Sequence, residues 1–275
     1  LQTVITKKAL GQIGDMALNE ADILDLFKVR KAAAAILHRV EGSDKPLSFI
    51  EDAAVHPDVF PQFLKQCKAI LDNANIDYVM FGHAGDGNLH IRPMLDVKDA
   101  EKMNRAVQLM QDFTDLVIKL GGTLSGEHGD GRLRTPFLKD LYPELIPLFK
   151  AIKSVFDPRN ILNPGIIIPQ EDQRWNQHFR YTPDMEYVSN DSILDSAKWL
   201  DEIQKCHGCG TCRTYCPVFL ASGDESTTGR AKANILRGFI KDDLNESLWK
   251  DQAVLDMMDL CLNCGQCLTD CPTGV

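Results

Sequence analysis

Two groups of residues in this chain have types and spacings suited to chemistry. In the stretch FGHAGDGNLHIRP, Phe81 to Pro93, His83 and His90 lie among Gly82, Gly85 and Gly87. Each glycine costs about 1 kcal/mol relative to alanine inside a helix, and YVMF and LHI flank the loop. The stretch therefore reads as strand, glycine-rich loop, strand. Pairing of the two strands as a hairpin sets both imidazoles on one face, near opposite each other at cross-strand contact distance. Two imidazoles held that way are half of a metal site. SGEHGDGR offers the missing carboxylate in Glu127, followed at once by His128. Two histidines and a carboxylate suit a divalent Zn, Fe or Mn, with positions open to a substrate. At a strand end His128 can swing into the same site as a base. The bland alternative is that His83 and His90 are core histidines and the glycines only make turns.

The second group is thiol chemistry. Cys206, Cys209, Cys212, Cys216 and Pro217 form C-x2-C-x2-C-x3-C-P, and Cys261, Cys264, Cys267, Cys271 and Pro272 repeat it. This is the bacterial run that binds [4Fe–4S] clusters, in which the fourth cysteine serves the other cluster. One cluster is assigned to Cys206, Cys209, Cys212 and Cys271, the other to Cys261, Cys264, Cys267 and Cys216. Zinc knuckles and disulfides fit less well, because zinc sites use paired cysteines and not two such quartets. Cys67 stands alone at a core-facing helical position and reads as packing.

The rest of the composition narrows the class. The 275 residues allow one large or two modest domains. A net charge of −9 argues against nucleic acid, which needs clustered Lys and Arg. No apolar run approaches the roughly 20 residues of a membrane span. Close C-x2-C steps are metal spacing and imply a reducing compartment, and the expected location is cytoplasmic. Neither glycine set reads as G-x-G-x-x-G or as a Walker loop.

The elements that must position these groups follow from periodicity. Glu20 to Arg39 reads as a helix, then Pro46 precedes a strand, LSFIEDAAV. Pro57 suits the first turn of a helix whose Val59, Phe63, Cys67 and Ile70 share one apolar face. The two strands around His83 and His90 follow, then a helix from Val97 to Leu120, then a strand from Thr123 to Glu127. The order β-α-β-β-α-β predicts an α+β fold, a ferredoxin-like antiparallel sheet domain with helices on one face. A helix over 138–156, broken by Pro143 and Pro147, and NILNPGIIIP close it. The expected domains are 1–169, a polar linker over the surface at 170–191, and a mostly α-helical ferredoxin domain at 192–275.

With these residues assembled, the chain resembles the FAD-linked oxidase family that includes D-lactate and D-2-hydroxyglutarate dehydrogenases. The resemblance runs from about Val29 to Pro169 and rests on IEDAAVHP, GHAGDGNLH, SGEHGDGR and VFDPRNILNPG. The cysteine domain resembles the iron–sulfur extension of large bacterial members. The resemblance implies that His83, His90 and Glu127 hold the divalent metal and that His128 is the base beside the flavin. It also implies Arg30, and a second basic contact at Lys45, on the substrate carboxylate. The family's N-terminal flavin-binding domain has no counterpart here, so the chain reads as a piece of a longer enzyme, with most FAD contacts elsewhere.

The expected function is oxidation of a D-2-hydroxy acid (D-lactate, D-2-hydroxyglutarate or glycolate) to the 2-oxo acid. Electrons then pass from FAD through two [4Fe–4S] clusters to a quinone, cytochrome or other carrier. That acceptor could bring the protein to a membrane, and an oligomer is compatible with the sequence. The competing reading is a non-catalytic electron-transfer subunit with a structural metal site.

Overall fold

The structure is a computed structural model and describes residues 17–38, 40, 42–188, 193–241, 244, 248 and 250–274. Helix α1 is Glu20–His38, followed by the short strands β1, Lys45–Pro46, and β2, Ala53–Ala54. Helix α2 is Phe60–Ala74, β3 is Tyr78–His83, β4 is Asn88–Leu95 and α3 is Ala100–Lys119. Short helices α4, Gly131–Arg134, and α5, Leu138–Leu141, lead to α6, Ile146–Phe156.

Strand β4 is the centre of the sheet. On one edge β3 pairs with it antiparallel, Phe81 opposite His90 and His83 opposite Asn88. On the other edge β1 meets Met94 and Leu95, and β2 meets Asn88 and Leu89, both antiparallel. Beyond β2 the sheet ends in a single bridge, Ala54 to Thr123. The fourth, first, third and second strands of the expected order thus lie side by side, the split pattern read from the sequence.

Alternation along β4 separates two jobs. Leu89, Ile91 and Leu95 point into the core, where Phe63, Cys67 and Leu71 of α2 and Met110, Phe113 and Val117 of α3 are buried. Phe63 and Phe113 meet across the two helices at 6.0 Å between ring centroids. His90 and Arg92 alternate to the other face. The helices cover one face, so the residues with chemistry hold the other. Burial pushes the Cys67 thiol up to about 12, as expected of a packing cysteine.

Three elements differ from the sequence-based expectations. Of the strand expected over 47–55 only Ala53–Ala54 is strand, with a second short piece just before that range at Lys45–Pro46, and Asp52, with φ +72°, turns the chain between the two. The strand expected over 123–127 shrinks to the bridge at Thr123 because Asp52 takes the next backbone donors. Gly126 N–H donates to its carbonyl at 2.7 Å, and Glu127 and His128 N–H groups donate to its carboxylate. Segment 170–188 also does more than cross the surface. Trp175 is buried in the sheet domain's core and stacks on Phe49 at 4.9 Å.

The C-terminal part is helical among the described residues. It comprises α7, Ala197–Gln204, α8, Cys212–Tyr215, α9, Pro217–Ser222, α10, Gly229–Ile240, α11, Gln252–Asp259, and α12, Gln266–Thr269. No helix among the described residues is long and apolar enough to cross a membrane.

Candidate metal centre and cysteine cages

The turn between β3 and β4 sets the two histidines. Gly87 closes it with φ +66°, and a Cβ there would lie 1.9 Å from the carbonyl oxygen of Val55. Only glycine fits both the backbone and the contact. The resulting register makes His83 and His90 diagonal neighbours, not direct partners, with ring centroids 5.6 Å apart. That spacing remains within reach across an antiparallel pair.

Glu127 completes the group. Its Oε1 lies 3.4 Å from His83 Nε2, 3.1 Å from His90 Nε2 and 3.5 Å from His128 Nε2. Three imidazole nitrogens from three chain positions thus converge on one carboxylate oxygen. Ligand-type atoms of Asp52, His90, Glu127 and His128 also lie within 4.8 Å of one another. Asp52 is the least suited of these to a cation. Its two oxygens already accept from Ser125 Oγ (2.9 Å), Asn88 Nδ2 (3.2 Å), Glu127 N (3.1 Å) and His128 N (2.7 Å). Burial opposes the Asp52 charge, but the N–H groups of His128 and Glu127 with the Ser125 hydroxyl outweigh it, so its pKa is lowered. Its role is to hold the loop that presents Glu127 and His128.

Glu51, the preceding residue, orients the imidazoles. His128 Nδ1 lies 3.0 Å from Glu51 Oε1, which turns Nε2 toward Glu127. That hydrogen bond, opposed by partial burial, holds the His128 pKa above the ordinary histidine value. His90 Nδ1 and Glu51 Oε2 are buried, lack hydrogen-bond partners, and face each other at 3.5 Å. A carboxylate behind Nδ1 with Nε2 pointing forward is how metal-bound histidines are oriented. Arg134 ties Glu51 down, with Nη2 donating to the Glu51 carbonyl at 2.8 Å. This donor set and its oriented backing fit a divalent cation.

Sequence reasoning missed Glu51, Asp52 and Arg134. The available signal was an acidic pair inside the apolar run FIEDAAV, since buried carboxylates need partners. Of the expected substrate contacts, Lys45 lies opposite Leu95, on the parity of the core face, and its ammonium donates to the Val40 carbonyl at 2.6 Å. No contact joins Lys45 to the histidine–glutamate group among the described residues. The Arg30 side chain lies outside the described residues. Arg92 does reach the site, donating to Ser48 Oγ, with Nη2 3.9 Å from Glu51 Oε2 and its guanidinium over Phe81.

In the C-terminal part, Cys206, Cys209, Cys212 and Cys271 line one cavity, which Cys267 also borders. The first triplet therefore meets the fourth cysteine of the other run. The backbone N–H of Arg230 donates to Cys212 Sγ at 3.3 Å, a bond suited to a thiolate. Cys216 Sγ turns elsewhere, 3.9 Å from the Thr227 carbonyl oxygen. Free thiols from both runs around one cavity, with an N–H donor aimed at Cys212 Sγ, fit an anionic iron–sulfur cluster.

Comparison with known proteins gives the family. Residues 2–167 match the model of FAD linked oxidases, C-terminal domain, and residues 202–275 match a 4Fe-4S dicluster domain. The chain belongs to the FAD linked oxidase family. It is similar to D-2-hydroxyglutarate dehydrogenase of Haemophilus influenzae, 29% identical over 91% of this chain and 28% of that protein. The D-2-hydroxyglutarate dehydrogenase of Escherichia coli is 30% identical over 88% of this chain and 24% of that protein. Glycolate oxidase subunit GlcD of Bacillus subtilis is 36% identical over 62% of this chain and 36% of that protein. The chain thus spans about a quarter of the length of the D-2-hydroxyglutarate dehydrogenases it matches.

Proposed function

We propose that this chain is the substrate and electron-exit part of an enzyme that oxidises a D-2-hydroxy acid to the 2-oxo acid. The observation that carries the reading is the convergence of His83, His90 and His128 on Glu127, with Glu51 behind two of the imidazoles. The names of the relatives point to D-2-hydroxyglutarate, glycolate or D-lactate as the substrate class.

His83, His90 and Glu127 would hold a divalent Zn, Fe or Mn, which when bound lowers the pKa of a nearby hydroxyl and offsets negative charge. FAD would supply a hydride acceptor, and two [4Fe–4S] clusters held by the cysteine runs would supply single-electron carriers. His128 takes the hydroxyl proton on Nε2, because its Nδ1–H is committed to Glu51. The hydrogen on C2 then leaves with its electron pair, and the carbonyl of the 2-oxo acid forms. Arg92 is well situated to meet a substrate carboxylate, and the family resemblance adds Arg30 and Lys45. A quinone, cytochrome or other carrier receives the electrons, and the reducing cytoplasm keeps the cage thiols competent.

The test is a panel of D- and L-2-hydroxy acids given to the full-length enzyme and scored by flavin bleaching. One D-acid should bleach the flavin and then reduce the clusters. A full-length, flavin-loaded enzyme that no 2-hydroxy acid reduces contradicts the reading and favours the electron-transfer subunit.

A further inference from the structure

Segment 170–188 enters from the sheet domain and lays a cation on the first cysteine loop. Gly208, between Cys206 and Cys209, has φ +79°, and a Cβ there would lie 2.1 Å from Arg180 Nη2 and 2.4 Å from its Cζ. The guanidinium is therefore pressed against the backbone of the loop. Two other arginines lie nearby, Arg230 at the cavity wall itself, and the two share one carboxylate. Arg213 Nε is 2.8 Å from a Glu225 oxygen, and Arg230 pairs with the other oxygen of the same carboxylate. Arg180 differs. Its Nη1 donates to the neutral Asn234 Oδ1 at 2.5 Å, and it forms no ion pair among the described residues. Arg237, whose charge repels that of Arg180, lies over the Tyr181 ring at 6.0 Å, and its Nε is buried without a hydrogen-bond partner. Two half-buried guanidiniums with no carboxylate between them among the described residues call for an anion. The cavity of Cys206, Cys209, Cys212 and Cys271 is where one belongs.

We propose that Arg180 is a tuning residue that raises the reduction potential of the cluster held by Cys206, Cys209, Cys212 and Cys271. The proposal rests on the cluster reading of these cysteines and is independent of which hydroxy acid is oxidised. On reduction the [4Fe–4S]2+ core takes one electron and becomes [4Fe–4S]1+, so the four-thiolate unit goes from 2− to 3−. No bond breaks and no proton moves. A fixed cation stabilises the 3− state more than the 2− state, and half-burial keeps water and salt from screening it fully. The second run, from Cys261 to Cys271, contains Asp270 and no Lys or Arg. Near its partner Cys216, Lys232 donates to the Thr227 carbonyl at 3.1 Å.

The experiment is a dithionite titration of the full-length enzyme, monitored by EPR in the presence of redox mediators, for wild type, Arg180→Gln, Arg180→Lys and Asn234→Asp. Arg180→Gln should shift one cluster's midpoint to more negative potential and leave the other in place, with iron and sulfide content unchanged. Arg180→Lys should recover part of the shift. Asn234→Asp keeps the arginine but pairs its charge, so it should shift the same midpoint in the same direction. Unmoved midpoints in both Arg180→Gln and Asn234→Asp, at full iron content, overturn the proposal. If Arg180→Gln loses iron, Asn234→Asp alone decides. A wild-type enzyme with no reducible clusters overturns the cluster reading itself, and the role of Arg180 with it.

Discussion

The histidine–glutamate group and the cysteine cages use different ways of bringing ligands together. The first cysteine cavity takes three thiols from one short loop and is bordered by Cys267 and Cys271 of the other run. The sheet site draws on Glu51, Asp52, His83, His90, Glu127, His128 and Arg134, which meet because β2 and β3 pair with β4 and the 125–134 segment hydrogen-bonds to Glu51 and Asp52. The cages are fixed by spacing, and the sheet site by register and by buried hydrogen bonds behind the ligands. It follows that the sheet site should be sensitive to residues that never touch substrate, whereas the cages should respond mainly to their own cysteines and close charges.

The largest expected effect tests the front of the sheet site. In the full-length enzyme, His128→Ala should lower the rate of flavin reduction by about 10²–10⁴-fold, the usual worth of a general base. The non-cluster metal should remain by elemental analysis, and a near-normal rate would remove His128 from the reaction. Next comes the backing. Asp52→Ala strips the acceptor from Ser125, Glu127, His128 and Asn88. It should cost about 3 kcal/mol of stability, since charged hydrogen bonds are worth roughly 1.5–3 kcal/mol each. Thermal unfolding reads this, and an unchanged melting temperature would mean that the loop is held some other way.

A subtler change separates orientation from stability. Glu51→Gln keeps the shape but weakens the carboxylate behind His90 and His128. Metal affinity and the rate of flavin reduction should fall by about 10–100-fold, as for other groups behind metal ligands, with secondary structure intact by circular dichroism. Equal affinity in the variant would reduce Glu51 to packing. The smallest effect belongs to Cys67. Buried, with its pKa pushed up to about 12, it should resist iodoacetamide in the folded protein while the eight cage cysteines react once iron is removed. Rapid labelling by mass spectrometry would break the contrast.

The same difference explains what was legible in the sequence. The cysteine runs speak through spacing alone, and both Cys267 and Cys271 line the cavity of the first triplet. The strand order and the two core helices were legible because period-2 and period-3.6 patterns are local. His83, His90, Glu127 and His128 were legible as types near glycine turns, and the structure brings all four together. Glu51 and Asp52 were not, because the acidic pair inside FIEDAAV says that partners are needed but not which residues supply them. The left-handed turn at Asp52 depends on donors from residues more than seventy positions later. Segment 170–188 has no period to read, so neither Trp175 in the core nor Arg180 against Gly208 could be foreseen. Lys45 entered by resemblance, and its ammonium faces the Val40 carbonyl.

The most direct test is an anomalous-scattering map of the full-length enzyme, collected across the edges of iron, manganese and zinc. A peak separate from the clusters should lie about 2.0–2.2 Å from His83 Nε2, His90 Nε2 and a Glu127 oxygen, the distances of nitrogen and oxygen ligands to such ions. A peak bound elsewhere, or none after the enzyme is loaded with each of the three metals, would contradict the metal centre and the chemistry built on it.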